Sequence, residues 1–140
     1  MPSDRWRIDR ALADGSFLEN EALVRAARSA KADGKALHLL GIVSFFSSHG
    51  SLEHLFALME LARREAVPRV YIHGLLGRRG ERPESGAHYI GLIEERAAAL
   101  GTGTVVSVIG RHWALDREKH WDRVEKTYRL LVGGAGRPVG

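Results

Sequence analysis

The sequence predicts an α/β fold: a small parallel sheet of about three strands, built from βα units, with helices on both faces. Three apolar runs typical of strands begin roughly 33 residues apart, which is the length that a parallel crossover with its helix requires. Each run is followed by a polar loop and then by a segment with helical periodicity. This alternation is typical of a sheet whose strands all run in the same direction.

The predicted strands are short and almost continuously apolar. They span residues 36–43, 69–76 and 104–109. Such runs are typical of strands in a parallel sheet that is covered on both faces. Three strands make a small sheet, so we expect at least one edge to be open or to be covered by a partner.

Helices are predicted before and between the first two strands. The first spans residues 21–32, between the capping residue Asn20 and a stop at Gly34. The second follows the capping residue Ser51. It presents an apolar stripe to the core, made of Leu52, Leu55, Phe56, Met59 and Ala62.

Two further helices complete the pattern. One spans residues 85–100 and stops at Gly101, and the other spans roughly 119–131. A chain of 140 residues and 15.5 kDa is long enough for one core. We therefore predict a single α/β domain over 1–140, divided into a lead-in (1–18), a βα core (19–131) and a Gly-rich tail (132–140).

The composition excludes several classes of protein. Hydrophobic residues make up 44% and charged residues 27%, which excludes collagen and extended disorder. No apolar run approaches the roughly 18 residues of a membrane helix, and the N-terminus lacks a secretion signal. The chain has no cysteine, which excludes disulfides, thiolate metal sites and a cysteine nucleophile. We therefore expect a cytoplasmic protein without a membrane partner.

Basic residues collect after the predicted strands. In parallel sheets, ligands bind beyond the carboxyl ends of the strands, where loops and helix N-termini converge. The first such loop offers hydroxyls and His49, and the second holds Arg79 among glycines. The third holds Arg111 and Arg117. Because a guanidinium group can bind two oxygens of an oxyanion at once, the pattern predicts a clamp for phosphate or carboxylate.

The same residues also have ordinary structural interpretations. Arginines in a Gly-rich loop are often simply solvated, and a loop histidine such as His49 often caps the next helix. Asp116 and Asp122 are placed to pair with Arg117 and Arg123, which would leave these groups no further role. The net charge of +4 favours anionic partners only weakly, and nucleic acid is the least favoured of them.

Motifs of several other chemistries are absent from the sequence. There is no Gly-x-x-x-x-Gly-Lys-Ser/Thr loop, no His-Glu-x-x-His helix, no Gly-x-Ser-x-Gly elbow and no Gly-x-Gly-x-x-Gly after the first strand. Histidines and carboxylates are scattered, without a pair at convincing metal-ligand spacing. Nucleotide and zinc chemistry therefore lack support in the sequence.

Two stretches resemble a known family more closely than a general α/β pattern requires. One comprises residues 7–10 and 14–17, and the other is Gly110-Arg111-His112-Trp113-Ala114-Leu115-Asp116-Arg117, followed by residues 121–126. Segments 37–41, 54–58 and 69–73 match in order and spacing. The chain resembles cofactor-independent (2,3-bisphosphoglycerate-independent) phosphoglycerate mutase, and specifically the first portion of the phosphotransferase domain that is inserted into an alkaline-phosphatase-like domain.

This resemblance implies a substrate-binding role. The family enzyme interconverts 3-phosphoglycerate and 2-phosphoglycerate in glycolysis, through a phosphoserine and two manganese ions held by its other domain. In this chain, His49 would contact the transferring phosphoryl group. Arg79, Arg111 and Arg117 would bind phosphate or carboxylate, and the chain would hold no cofactor of its own.

The resemblance also implies ligands and partners. The ligand would be phosphoglycerate or another small phosphorylated metabolite. The protein partner would be a phosphatase-like domain, or a second copy at the open sheet edge. The alternative is a non-catalytic module on the same fold, which binds phosphate or another anion or serves an interaction.

Two loops depart from the family pattern. The family reads Ser-Asp-Gly-Gly-Val-His-Ser-His where residues 44–51 here read Ser-Phe-Phe-Ser-Ser-His-Gly-Ser. It reads Asp-Gly-Arg-Asp where this chain has Gly77-Arg78-Arg79-Gly80. The lost carboxylates would weaken substrate orientation and acid–base assistance. We therefore expect binding without turnover by this chain alone.

Overall fold

The architecture is described by a computed structural model that covers residues 3–45, 49–77, 82 and 84–138. These residues contain three strands, β1 (Leu37–Val43), β2 (Val70–Leu76) and β3 (Thr104–Gly110). The strands pair in parallel in the order β1-β2-β3. The predicted α/β class and three-stranded parallel sheet are therefore confirmed, with strand bounds shifted by at most one residue.

Helices flank the sheet along the described part of the chain. They are α1 (Asp4–Asp14), a 3-10 helix (Ser16–Glu19), α2 (Glu21–Ala32), α3 (Leu52–Arg64), α4 (Ser85–Leu100), α5 (Arg111–Ala114) and α6 (Trp121–Gly133). The bounds of α2 and α4 match those predicted, and α6 begins and ends two residues later than expected. No helix among the described residues is long and apolar enough to cross a membrane.

The sequence analysis did not predict α1, which lies in the lead-in. This helix is rich in charged residues and buries none of its side chains, so its sequence gives only a weak apolar stripe. It is capped by the Ser3 hydroxyl, which accepts a hydrogen bond from the backbone N–H of Trp6. The Asp9 carboxylate lies 2.8 Å from Nε2 of His54 on α3, and this hydrogen bond holds the pKa of Asp9 below its ordinary value. A polar contact thus attaches α1 to the rest of the fold.

The main core lies between the sheet and two crossover helices. Because the strands follow one another in order and parallel crossovers share one hand, α3 and α4 pack side by side on the same face. Met59 of α3, Ile72 of β2 and Ile93 of α4 are fully buried at its centre. The stripe predicted for α3 contributes to this core, as expected.

The second face of the sheet is covered unevenly. Near the carboxyl ends of the strands, Ile42 and Leu75 lie against α5 and the segment that follows it. Elsewhere the face is open, and Leu40 is 57% and Val106 45% exposed. Helices therefore lie on both faces, but only the first face is covered along its length.

A β-bulge organises the polar residues on the open face. The register between β2 and β3 shifts after Ile72, so that Val106 is the extra residue and Ser107 lies opposite His73. Nδ1 of His73 lies 2.7 Å from the Ser107 hydroxyl, and its Nε2 lies 2.8 Å from Nδ1 of His38. Both histidines are thus hydrogen-bonded on the sheet.

This histidine pair makes the stability of the fold pH-dependent. Burial, and secondarily the proximity of His38, hold the pKa of His73 below its ordinary value of 6.5. The unfolded chain therefore takes up a proton at His73 more readily than the folded chain. The free energy of unfolding is unaffected by this group above about pH 7 and decreases as the pH drops below 6.5. We expect urea unfolding at pH 7.5 and pH 5.5 to show this loss, and His73→Gln to reduce the difference.

A matched control is His112→Gln, since His112 is exposed and lies outside the sheet. This variant should keep the pH dependence of the wild-type chain. An identical pH dependence in the wild-type and His73→Gln chains would contradict the assignment to His73.

Candidate functional site

Parallel pairing brings the carboxyl ends of all three strands to one edge, and a cleft of about 1130 Å³ lies there. Its floor includes Gly41 and Ile42 of β1 and Leu75 of β2. Its walls come from the residues after β1 and from the segment that joins β3 to α6. The charged and imidazole groups of these walls are His49, Arg111, His112, Asp116, Arg117, Glu118 and Arg123.

The structure brings three of the four predicted site residues to this cleft. His49 lies beyond β1, Arg111 opens α5 directly after β3, and Arg117 follows α5. The fourth, Arg79, is outside the described residues. The convergence predicted for the three loops is thus found for the first and third, which are far apart in the sequence.

Gly77 supports the position of Arg111. It is the residue after β2, and its φ of +98° lies in the region that favours glycine. A Cβ atom at this position would lie 3.4 Å from Cγ of Arg111. The backbone after β2 therefore lies beside the aliphatic part of Arg111, a residue that lines the cleft.

Asp116 is the centre of a hydrogen-bond network in the wall of the cleft. Its side chain is only 3% exposed. The carboxylate accepts hydrogen bonds from the backbone N–H groups of Glu118 (3.1 Å) and His120 (2.9 Å). It also lies 3.0 Å from Nδ1 of His120 and accepts a bond of 3.2 Å from Nη1 of Arg123. Burial opposes its ionisation, but the bonds from His120 and Glu118 outweigh burial and hold the pKa of Asp116 below its ordinary value.

This network fixes the turn between α5 and α6. Within the turn, Lys119 has a φ of +67°, a conformation that costs a non-glycine residue roughly 1–2 kcal/mol and needs support from its surroundings. The bonds to Asp116 span this residue on both sides. The ammonium group of Lys126 lies 3.8 Å from the centre of the Trp113 ring and joins α6 to α5. The wall that carries Arg117 is therefore held from several directions.

Two of the three arginines that line the cleft are not paired with a carboxylate of the described residues, whereas Arg123 pairs with Asp116. Neither Arg111 nor Arg117 makes an ion pair with any residue that the structure describes. Other arginines of the chain do so, such as Arg28 with Glu65 at 2.7 Å. An unpaired guanidinium group beside an apolar floor attracts anions more strongly than one that is already paired, because its donors are free and the nearby protein lowers the local dielectric.

One group of side chains has the composition of a metal site. Ligand atoms of Asp116, Glu118 and His120 all lie within 4.8 Å of one another. The Asp116 carboxylate, however, already accepts four hydrogen bonds at its two oxygens, and His120 directs Nδ1 at it. These residues therefore do not fit the manganese ions that the sequence resemblance implies for the family.

Asp116 and Arg123 lie in the predicted third loop but were not assigned to the site. Pairing of Asp116 and Asp122 with Arg117 and Arg123 was expected, and the structure shows the pair of Asp116 with Arg123, at 3.2 Å. What the sequence did not indicate is that this pair is part of the cleft wall. The sequence did carry a signal. An aspartate just before a helix often accepts hydrogen bonds from backbone N–H groups two and four residues later and so closes a turn.

The fold and the cleft together define an open parallel α/β domain with a basic cleft at its carboxyl edge. Residues 8–139 match the family described as BPG-independent PGAM N-terminus (iPGM_N). The chain belongs to this family, which confirms the resemblance found in the sequence.

Curated relatives agree with this family. The chain is 45% identical to the 2,3-bisphosphoglycerate-independent phosphoglycerate mutase of Moorella thermoacetica and 46% identical to that of Salinibacter ruber. Each match covers 93% of this chain and 25% of the relative, so the chain spans about a quarter of their length. A solved structure of Leishmania mexicana phosphoglycerate mutase matches with a TM-score of 0.80 and 25% identity, over 93% of this chain and 25% of that one.

The backbone conformation of Gly77 gives a testable prediction. Gly77→Ala places a Cβ at a φ of +98°, so we expect a loss of about 1–2 kcal/mol in unfolding free energy, whereas the Cβ itself would make only ordinary contact with Arg111. Gly91→Ala is the matched control, because Gly91 lies within α4 with open space around it, and alanine should stabilise it by about 0.5–1 kcal/mol. Chemical denaturation measures both. Equal effects of the two substitutions would contradict the positive-φ conformation of Gly77.

Proposed function

We propose that this chain is the substrate-binding portion of a 2,3-bisphosphoglycerate-independent phosphoglycerate mutase and binds 3-phosphoglycerate at the cleft. The observation that carries this proposal is the meeting of two unpaired arginines, Arg111 and Arg117, with His49 at the carboxyl edge of the sheet. Membership of the phosphoglycerate mutase family supports the choice of ligand.

The chemistry of the ligand suits the cleft. Phosphoglycerate carries a phosphate and a carboxylate on a short backbone, so it offers two anionic groups to two guanidinium groups. A hydrogen bond to a charged group contributes about 1.5–3 kcal/mol net, and a bidentate arginine contact adds orientation. In the proposal, Arg111 and Arg117 bind these groups and His49 contacts the transferring phosphoryl group. Arg79 joins them on the strength of the family resemblance.

The remaining parts of the reaction belong to a partner in this proposal. The phosphoserine and the manganese ions lie in a phosphatase-like domain, which would supply the nucleophile and the metal chemistry. This chain would orient the substrate and hold its charge during transfer, the role that positioning and electrostatics have in phosphoryl transfer. A cytoplasmic location, expected for a glycolytic enzyme, is part of the same proposal.

Binding is tested by titrating the isotope-labelled 140-residue chain with 3-phosphoglycerate and following amide chemical shifts. We expect saturable shifts at residues of the cleft, and a loss of affinity of roughly tenfold or more for Arg111→Gln and for Arg117→Gln, since each removes a charged contact. Arg129→Gln is the matched control, because Arg129 is exposed on α6 and paired with Glu125. Absence of saturable shifts in the wild-type chain would overturn the proposal.

Turnover is tested separately. Because nucleophile and metal ligands are assigned to the partner domain, we expect the chain alone to show no conversion of 3-phosphoglycerate in a coupled assay with manganese. The Moorella thermoacetica enzyme serves as the active control. Manganese-dependent activity from this chain alone would show that the catalytic parts are wrongly assigned.

A further inference from the structure

We propose that Arg123 is a further anion-binding residue of the cleft and that Asp116 positions its guanidinium group toward the ligand. This inference rests on the proposed function and extends it from two described arginines to three. It depends on a contact that the sequence did not indicate: the nearly buried carboxylate of Asp116 binds one side of the Arg123 guanidinium group in the cleft wall.

The position of Arg123 is the first argument. It lies in the first turn of α6 and lines the same cleft as Arg111 and Arg117. Its side chain is 27% exposed, so most of the side chain is packed against protein and has few alternative positions. An arginine that is already ordered loses less conformational entropy on binding than a flexible one.

The geometry of the ion pair is the second argument. Nη1 of Arg123 donates to Oδ1 of Asp116 at 3.2 Å. A guanidinium group has five N–H donors. Among the described residues this is the one hydrogen bond that the Arg123 side chain makes, so the other donors stay available to an oxyanion in the cleft.

The environment of Asp116 is the third argument. Backbone N–H groups and His120 hold its carboxylate within a nearly buried position, as described above. The carboxylate cannot turn toward solvent without losing these bonds. Asp116 is thus a fixed acceptor, which makes it a positioning residue for Arg123 rather than a flexible counter-ion.

A surface pair on the same helix shows the contrast. Arg129 pairs with Glu125 at 2.6 Å, but both side chains are more than half exposed and lie outside the cleft. Such exposed pairs contribute little and rearrange easily. The pair of Arg123 and Asp116 differs in burial and in location, which are the two features that an anion site requires.

The direction in which Asp116→Asn changes the affinity for 3-phosphoglycerate distinguishes a positioning role from a simple charge effect. Asp116→Asn removes a negative charge beside an anion site, so simple electrostatics would tighten 3-phosphoglycerate binding. If Asp116 positions Arg123, binding should instead weaken, because the ordered guanidinium group is released. A change in net charge alone cannot produce weaker binding of an anion.

The experiment is a double-mutant cycle on the full 140-residue chain, with affinities for 3-phosphoglycerate measured by amide chemical shifts. We expect Arg123→Gln and Asp116→Asn each to weaken binding by roughly fivefold or more. In the Arg123→Gln background, Asp116→Asn should no longer weaken binding, since Asp116 acts through the arginine and only the loss of its negative charge remains. Arg123→Lys should retain part of the affinity because charge remains without the planar group. Arg129→Gln should leave affinity unchanged.

The results distinguish a failure of the proposed function from a failure of the role proposed for Arg123. If the wild-type chain does not bind 3-phosphoglycerate, the proposed function fails and this inference falls with it. If the wild-type chain binds, and Arg111→Gln and Arg117→Gln weaken binding while Arg123→Gln does not, this inference alone is overturned. Should Asp116→Asn disrupt the fold, seen as a collapse of amide shift dispersion, the Arg123→Gln and Arg123→Lys comparison still decides the role of Arg123. Tighter binding by a folded Asp116→Asn chain would reject the positioning role.

Discussion

The constraint on which the rest of the structure depends is parallel pairing. In a parallel sheet every strand ends at the same edge, so the segments after β1, β2 and β3 must begin close together however far apart they are in sequence. The crossovers that parallel strands require place α3 and α4 on one face and bury Met59, Ile72 and Ile93 between the layers. Burial of this face thus stabilises the arrangement that forms the cleft.

One wall of the cleft is held firmly in place by hydrogen bonds and a cation–π contact. The rigid wall is the segment from α5 to α6, which Asp116 holds through its hydrogen bonds and which Lys126 and Trp113 join from the far side. A rigid wall suits a site that orients a substrate, because the conformational entropy of the binding groups is lost during folding and not during binding. The proposed division of the reaction, with chemistry on a partner domain and orientation here, agrees with such a wall.

The second face of the sheet differs from the first in its chemistry. The first is apolar and closed, whereas the second combines exposed Leu40 and Val106 with a hydrogen-bonded row of His38, His73 and Ser107. A β-bulge creates that row by moving Ser107 into line with His73.

The sequence by itself determined the strands, the helices with an apolar stripe and the family. Periodicity of apolar residues predicts such elements because burial selects them, and motif order over residues 110–117 identifies the family. It missed α1, in which charged residues predominate, and α5, which at four residues is too short to show a helical period. Only the tertiary structure decided that Asp116 and Arg123 belong to the cleft wall and that one face of the sheet stays partly open. The reason is physical: which groups face each other depends on strand order, register and the bulge, and these follow from contacts between distant segments and not from local sequence.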